Sequence, residues 1–215
     1  QPASSDNGVS LGSAMLAAKS EKGEFHRMTH CYYGNNFSDR SIEKSLKEAK
    51  IKYKKFKDIE KKVAKHLAEG KIIGWFQGRS EVGARALGNR SILANPLFKN
   101  MKNKLNAEVK HRENWRPFCP SVNDYKYKEY FGNVHESDFM ILAFEMRKKY
   151  KKIFPSAVHV DGTARPQIVR KKTNKKFYKL IQEFEKKTGH AILINTSFNI
   201  QGEPIVNKPS EALRC

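Results

Sequence analysis

Between Gly78 and Ser91 the chain sets three glycines, Gly78, Gly83 and Gly88, among three arginines, Arg79, Arg85 and Arg90. That mixture suits an oxyanion. Glycines let backbone N–H groups approach an anion, and each guanidinium offers a planar fork that matches carboxylate or phosphate oxygens. A surface loop whose arginines cap carbonyls has the same composition, so at this point the two readings stand level. Gly83 and Gly88 have the spacing of a P-loop. Asn89-Arg90-Ser91 stands where Gly-Lys-Ser/Thr would close one, which argues against a Walker-type NTPase.

Three further clusters carry polar chemistry. In Lys110-His111-Arg112-Glu113-Asn114-Trp115-Arg116-Pro117-Phe118, cations after a helix suit the negative end of its dipole, which would account for Lys110 and His111. Arg116 stands between Trp115 and Pro117-Phe118, apolar neighbours that exclude water. A partly buried guanidinium needs an anionic partner, and a ligand is favoured over a structural carboxylate. In Asp161-Gly162-Thr163-Ala164-Arg165 the arginine follows a turn, where a loop projects it into a shared cleft. Asn195-Thr196-Ser197-Phe198-Asn199 follows an apolar strand, at the carboxyl end where α/β sheets receive ligands. Its amides and hydroxyls suit a group with both an NH2 and a carbonyl, such as a carbamoyl amide; an Asx-type turn ending the strand is the competing reading.

The elements that must position these clusters alternate. Asp6-Asn7-Gly8 leads into a helix carrying Val9, Leu11, Ala14, Met15 and Ala17, whose small residues imply close packing. Ser38-Asp39 caps a helix with Ile42, Leu46 and Ala49; Asp58 caps another with Ile59, Val63 and Leu67 that Gly70 ends. Residues 71–76 and 91–94 read as strands, Met101, Leu105 and Val109 as a helix, and 139–144 as an apolar run. Asn174 caps a helix with Phe177, Leu180, Ile181 and Phe184 that closes at Gly189, before a strand over 191–194. The sum is a mixed α/β domain.

Composition bounds the rest. The 215 residues carry 39% hydrophobic and 11% aromatic residues, enough for a packed core, and no apolar run has the length of a membrane span. Cys31, Cys119 and Cys215 are odd in number and far apart, which suggests neither a disulfide framework nor a metal site and fits a reducing, cytoplasmic setting. The net charge of +20 would attract phosphorylated small molecules, nucleic acid or anionic surfaces. Lysine runs such as Lys148-Lys149 and Lys175-Lys176 read first as a solvated face. Both ends, Gln1 and Cys215, look cut from a longer chain.

Taken in series, GRSEVGARALGNRSIL (78–93), VKHRENWRPF (109–118), HVDGTAR (159–165) and LINTSFNIQGEPIV (193–206) resemble the C-terminal half of the NodU/CmcH O-carbamoyltransferases. The resemblance implies a YrdC-like fold, a mixed twisted sheet with flanking helices, over residues 58–215. It implies a short remnant of the family's ASKHA-like transfer domain, with a linker, over residues 1–57. It also implies a transferase that forms carbamoyl adenylate from carbamoyl phosphate and ATP, with Mg, and passes the carbamoyl group to a hydroxyl-bearing small-molecule acceptor. Carried over by motif, Arg85, Lys110, Arg116 and Arg165 are the catalytic candidates, and Arg79, Asn195, Ser197 and Asn199 the substrate and nucleotide-binding ones. Asp6, in Ser5-Asp6-Asn7-Gly8, matches an aspartate that completes a divalent metal site, such as iron, with two histidines expected before Gln1. His26 and His30 have a two-ligand spacing but follow Asp6, and are read as coincidence. Ala84 stands where the family usually has proline.

Three other readings stay open: a threonylcarbamoyl-adenylate synthase using threonine and bicarbonate, a noncatalytic partner-binding role, and a basic RNA-binding module, for which no recognisable RNA motif is present. Neither a membrane nor nucleic acid is expected as a partner, and a homo-oligomer is compatible with the sequence.

Overall fold

The computed structural model describes residues 1–23 and 27–215. Its centre is a five-stranded mixed sheet of β1 (Ile73–Phe76), β2 (Arg90–Ala94), β3 (Cys119–Asn123), β6 (Gln167–Val169) and β7 (Ile192–Ser197), in the order β1-β2-β7-β3-β6. Only the β3–β6 pair is parallel. A separate two-stranded ribbon joins β4 (Phe144–Glu145) to β5 (Thr163–Ala164).

Alternation along the strands divides the core in two, because successive side chains point to opposite faces. Leu93, Val169 and Leu193 pack under α3 (Ile59–Ala68) and α7 (Lys175–Thr188), against Val63, Leu67, Phe177, Leu180, Ile181 and Phe184. Ile92, Ala94, Val122, Ile192 and Ile194 turn the other way, onto Met101, Leu105, Phe118, Tyr130 and Phe154. Of these, Phe118 directly precedes β3 and the others lie on or beside α4 (Met101–Lys104), α5 (Tyr127–Tyr130) and α6 (Lys148–Ile153). Helix α7 forms where its cap and stop residues predict: the Asn174 side chain accepts the Phe177 N–H at 3.2 Å, and Gly189 ends it at φ +79°.

Several sequence expectations shift. The helix expected over Met101 to Val109 is α-helical only to Lys104 and then widens into a π-turn over Leu105–Val109, which delivers Lys110 at its end. The apolar run at 139–144 contributes only Phe144 to a strand; Met140 adopts φ +56° there. Strands β3 and β6 went unread, since Pro120, Ser121, Asn123 and Gln167 interrupt the apolar pattern that marks a buried strand.

The N-terminal helix α1 (Val9–Lys22) also departs from expectation. Leu11 and Met15 are half-buried, whereas Val9 and Leu16 are 64% and 69% exposed, so the close packing anticipated from its small residues does not occur among the described residues. The segment after it is tightly held instead. Cys31 is buried with Leu87, Cys119 and Met140. Residues 31–35 run beside 80–82 through Val82 N–H to Cys31 O (2.7 Å), Gly34 N–H to Ser80 O (3.0 Å) and Ser80 N–H to Asn35 O (3.0 Å). Next come α2 (Asp39–Glu48), capped by the Ser38 hydroxyl, and an exposed stretch leading to α3. His26, one half of the two-histidine spacing, lies outside the described residues. Among those described, no helix is long and apolar enough to cross a membrane.

Candidate active site

The site begins as a polar patch inside the sheet. Pairing places Cys119 opposite Asn195 and Ser121 opposite Gln167, and cross-strand partners project to one face. All four are buried, on the face of the sheet that also carries Leu93, Val169 and Leu193. Gln167 Nε2 donates to the Leu87 carbonyl at 2.8 Å, and the Ser121 hydroxyl donates to Gln167 Oε1 at 2.7 Å. Asn195 Nδ2 then donates to Ser121 Oγ at 2.9 Å and to Gln167 Oε1 at 3.1 Å. Asn195 Oδ1 is buried with no partner among the described residues.

Cations gather around this floor. Arg165, delivered by β5, places Nη2 3.2 Å from Cys119 Sγ and keeps a buried Nε–H without an acceptor. Burial depresses the Arg85 pKa, and the charge of Arg165 depresses it further. Lys110 Nζ is buried at the end of β7, donating towards Ser197 O (2.6 Å), Ser197 Oγ (3.2 Å), Asn199 O (2.9 Å) and Asn199 Oδ1 (2.8 Å). Its pKa is lowered to about 8, by burial first and by the Arg112 charge second. Arg112 rests its guanidinium 4.8 Å over the Phe118 ring and donates through Nε to Asn106 Oδ1 at 2.7 Å. Its pKa is lowered by burial and then by Arg116. Among the described residues, no ion pair neutralises Arg85, Lys110, Arg112 or Arg165. Partly buried cations that repel one another and have no ion-paired carboxylate form an electrostatic well for polyanions.

The chain is similar to known proteins. Residues 64–215 match the sequence profile of the family described as Carbamoyltransferase C-terminus. The chain belongs to that family. It is 42% identical over 224 residues to the uncharacterised protein MJ1058 of Methanocaldococcus jannaschii, covering 99% of this chain and 36% of that one. It is 39% identical to the nodulation protein NolNO of Sinorhizobium fredii, covering 99% of this chain and 32% of that protein. To the 3'-hydroxymethylcephem-O-carbamoyltransferase of Amycolatopsis lactamdurans it is 32% identical, over 98% of this chain and 39% of that enzyme. The chain thus spans about a third of the length of these relatives. In fold it is similar to HypF, solved in a phosphate- and nucleotide-bound form, with TM-score 0.50, 19% identity, and coverage of 76% of this chain and 20% of HypF.

Within the carbamoyltransferase C-terminal domain, the sequence candidates separate. Arg85 and Arg165 lie together; Lys110, Ser197 and Asn199 form one hydrogen-bonded knot; Asn195 lies on the floor beside Cys119. Ser197 Oγ donates to Asn199 Oδ1 at 2.6 Å, tightening that knot. Lys110 is therefore bound to the end of β7, and the helix-dipole account of it is replaced by direct contacts. Arg79 is exposed and donates to the Gly34 carbonyl at 3.1 Å. Arg116 is corrected: its side chain is 47% exposed, pairs with Glu113 at 2.9 Å and lies near an exposed Trp115, so a surface carboxylate supplies the anion and apolar neighbours do not enclose it.

The glycine–arginine loop is also occupied by the chain itself. Glu81 Oε1 accepts from the N–H groups of Leu87 (2.7 Å), Asn89 (2.8 Å) and Arg90 (3.3 Å), and burial raises the Glu81 pKa. Those amides are thus taken by an internal carboxylate. Arg90, fully buried, donates to the carbonyls of Gln77, Gly78, Asn89, Asn35 and Asn207 and stacks 3.7 Å from the Phe76 ring. For Arg90 the carbonyl-capping reading holds. Arg85 lines an open hollow of about 190 Å³ together with Ser80, Glu81, Gly83, Arg90 and Asn207. Asp6 is exposed and, among the described residues, no three His, Cys, Asp or Glu side chains are grouped to hold a metal, so these residues by themselves do not fit one.

Sequence reasoning passed over Arg112, Ser121 and Gln167. Arg112 lay inside a motif already quoted, but only its half-buried, unneutralised state distinguishes it. Nothing local marks Ser121 or Gln167, which become site residues through strand pairing.

Proposed function

We propose that this domain forms carbamoyl adenylate from carbamoyl phosphate and Mg-ATP, as one half of an ATP-dependent O-carbamoyltransferase. The remainder of the longer protein would pass the carbamoyl group to a hydroxyl of a small-molecule acceptor. The observation that carries this reading is the cluster of Arg85, Lys110, Arg112 and Arg165 around a buried amide floor, with no carboxylate ion-paired to it among the described residues.

The chemistry needs such a cluster. Carbamoyl phosphate gives up its phosphate to water, leaving a carbamate. A carbamate oxygen then attacks the α-phosphorus of ATP, the bond from that phosphorus to the bridging oxygen breaks, and pyrophosphate leaves. Two anions must first be brought into contact, and charge then grows on the phosphoryl oxygens, so fixed guanidinium groups both position and stabilise. Arg85 and Arg165 are assigned to the phosphate oxygens, and Asn195 to the neutral carbamoyl end. Lys110 holds the end of β7 in place. HypF, similar in fold, has phosphate and nucleotide in its structure, and the Amycolatopsis relative is named for O-carbamoyl transfer; both support a carbamoyl-transfer reading of the domain as a whole.

The test is carbamoyl-phosphate-dependent release of pyrophosphate from ATP by the full-length protein. Arg85→Ala and Arg165→Ala are each expected to lower the rate by roughly 10²-fold or more, the usual cost of removing a charge-stabilising donor. Wild-type rates in both variants would overturn the assignment, and turnover driven by threonine and bicarbonate instead would favour a threonylcarbamoyl-adenylate synthase.

A further inference from the structure

We propose that Gln167 and Ser121 are specificity-determining positioning residues: they lock the Asn195 amide with its carbonyl turned to accept a hydrogen bond from the NH2 of a carbamoyl group, so that the site rejects acyl groups lacking that donor. The inference rests on the carbamoyl-adenylate reading and goes beyond it by naming what makes the site choose.

The orientation follows from a backbone group that cannot be turned round. The Leu87 carbonyl can only accept, so the side chain of Gln167 must present its NH2 there, at 2.8 Å. Gln167 Oε1 then faces inward, where it accepts from the Ser121 hydroxyl at 2.7 Å and from Asn195 at 3.1 Å. Asn195 must accordingly offer Nδ2 to Gln167, with a second contact to Ser121 Oγ at 2.9 Å. Reversing the Asn195 amide would set two carbonyl oxygens against each other in a buried site. Its Oδ1 therefore has one direction left, and that atom is buried and unpartnered.

Exposure of Ser121, Gln167 and Asn195 is 0%, 2% and 1%, so water does not scramble the arrangement. Buried acceptors without donors are rare in folded proteins and point to a missing partner. The neighbourhood says which. Asn195 pairs across the sheet with Cys119, whose sulfur touches Arg165, and Arg165 keeps an unpartnered buried Nε–H. An orphan acceptor near an orphan donor complements an NH2 beside a carbonyl oxygen. An acetyl group has the same shape as a carbamoyl group but presents methyl where the NH2 stands. It would leave Asn195 Oδ1 desolvated and unpaired, the circumstance in which polar sites discriminate most strongly.

The experiment compares carbamoyl phosphate with acetyl phosphate in the full-length protein, by ATP-dependent pyrophosphate release and by calorimetry of each acyl phosphate. Wild type is expected to prefer carbamoyl phosphate by about 10³-fold or more. Gln167→Leu is expected to cut that preference by at least about tenfold, through carbamoyl phosphate KM and kcat, while KM for ATP stays within about twofold. Ser121→Ala, a smaller change that leaves the Gln167 tether to Leu87, should give a weaker loss in the same direction and guards against a misfolded Gln167→Leu. An unchanged preference in a variant that melts as a folded protein overturns the locking role. If wild type turns over neither acyl phosphate, the carbamoyl-adenylate reading itself falls, an outcome distinguishable from loss of selectivity alone.

Discussion

A lysine ammonium buried among four oxygen atoms has to be argued by its protonation state. Lys110 is pulled down to about 8 by burial and by Arg112, so the folded state releases its proton before the unfolded chain does. Between about 8 and the ordinary lysine range the unfolded state binds more protons, and stability from this group rises with pH across that window; below it both states are charged and the contribution is flat. Relative to Lys110→Met, wild type should therefore gain unfolding free energy as pH climbs from about 8, measured by urea titration of both proteins. Activity should move the other way. Neutral Nζ has two hydrogens for the oxygens of Ser197 and Asn199, so the end of β7 loosens and pyrophosphate release declines above about pH 8. Arg112 belongs to the same scale: Arg112→Ala should weaken binding of an ATP analogue by about tenfold while leaving the fold intact, as calorimetry and thermal melting would show.

At the scale of elements, the loop from Gly78 to Ser91 behaves as a shell folded around Glu81. Glu81→Ala would strip the acceptor from three amides at once, and a loss of about 3 kcal/mol is expected in denaturant titrations. Gly88 has φ +103°, and a Cβ there would meet Phe177 at 2.3 Å, so Gly88→Ala should cost about 1–3 kcal/mol and displace the loop from α7. The composition of the loop fits an oxyanion site and a carbonyl-capping surface loop equally well. The anion for those amides is the protein's own carboxylate, while Arg85 lines an open hollow and Arg79 is exposed. The helices were more legible: Ser38 and Asn174 cap as their side chains dictate, because capping depends on neighbours three residues away. Strands β3 and β6 were illegible for the opposite reason, since their polar residues make sense only against partners on distant strands.

For the molecule as a whole, the +20 charge sets a long-range potential that salt screens, while the buried amide floor does not depend on it. Raising ionic strength from about 0.05 to 0.5 M should weaken ATP-analogue binding severalfold yet leave the preference between carbamoyl and acetyl phosphate unchanged. A salt-steep affinity for RNA exceeding that for carbamoyl phosphate would instead favour the nucleic-acid reading. By itself the sequence determined the helices capped by Ser38 and Asn174, and the family, through four long motifs in a fixed order; Asp58, expected to cap α3, makes no side-chain cap bond. It also determined which residue types had to matter, because guanidinium, ammonium and amide groups carry their chemistry in their covalent structure. What tertiary structure alone decided was which of them meet. Arg116 turns outward to Glu113, Arg90 caps carbonyls, and Ser121 and Gln167 join Asn195 on one face of the sheet. The physical reason is that a hydrogen bond between residues 28 or 74 positions apart depends on strand register, which no local pattern encodes.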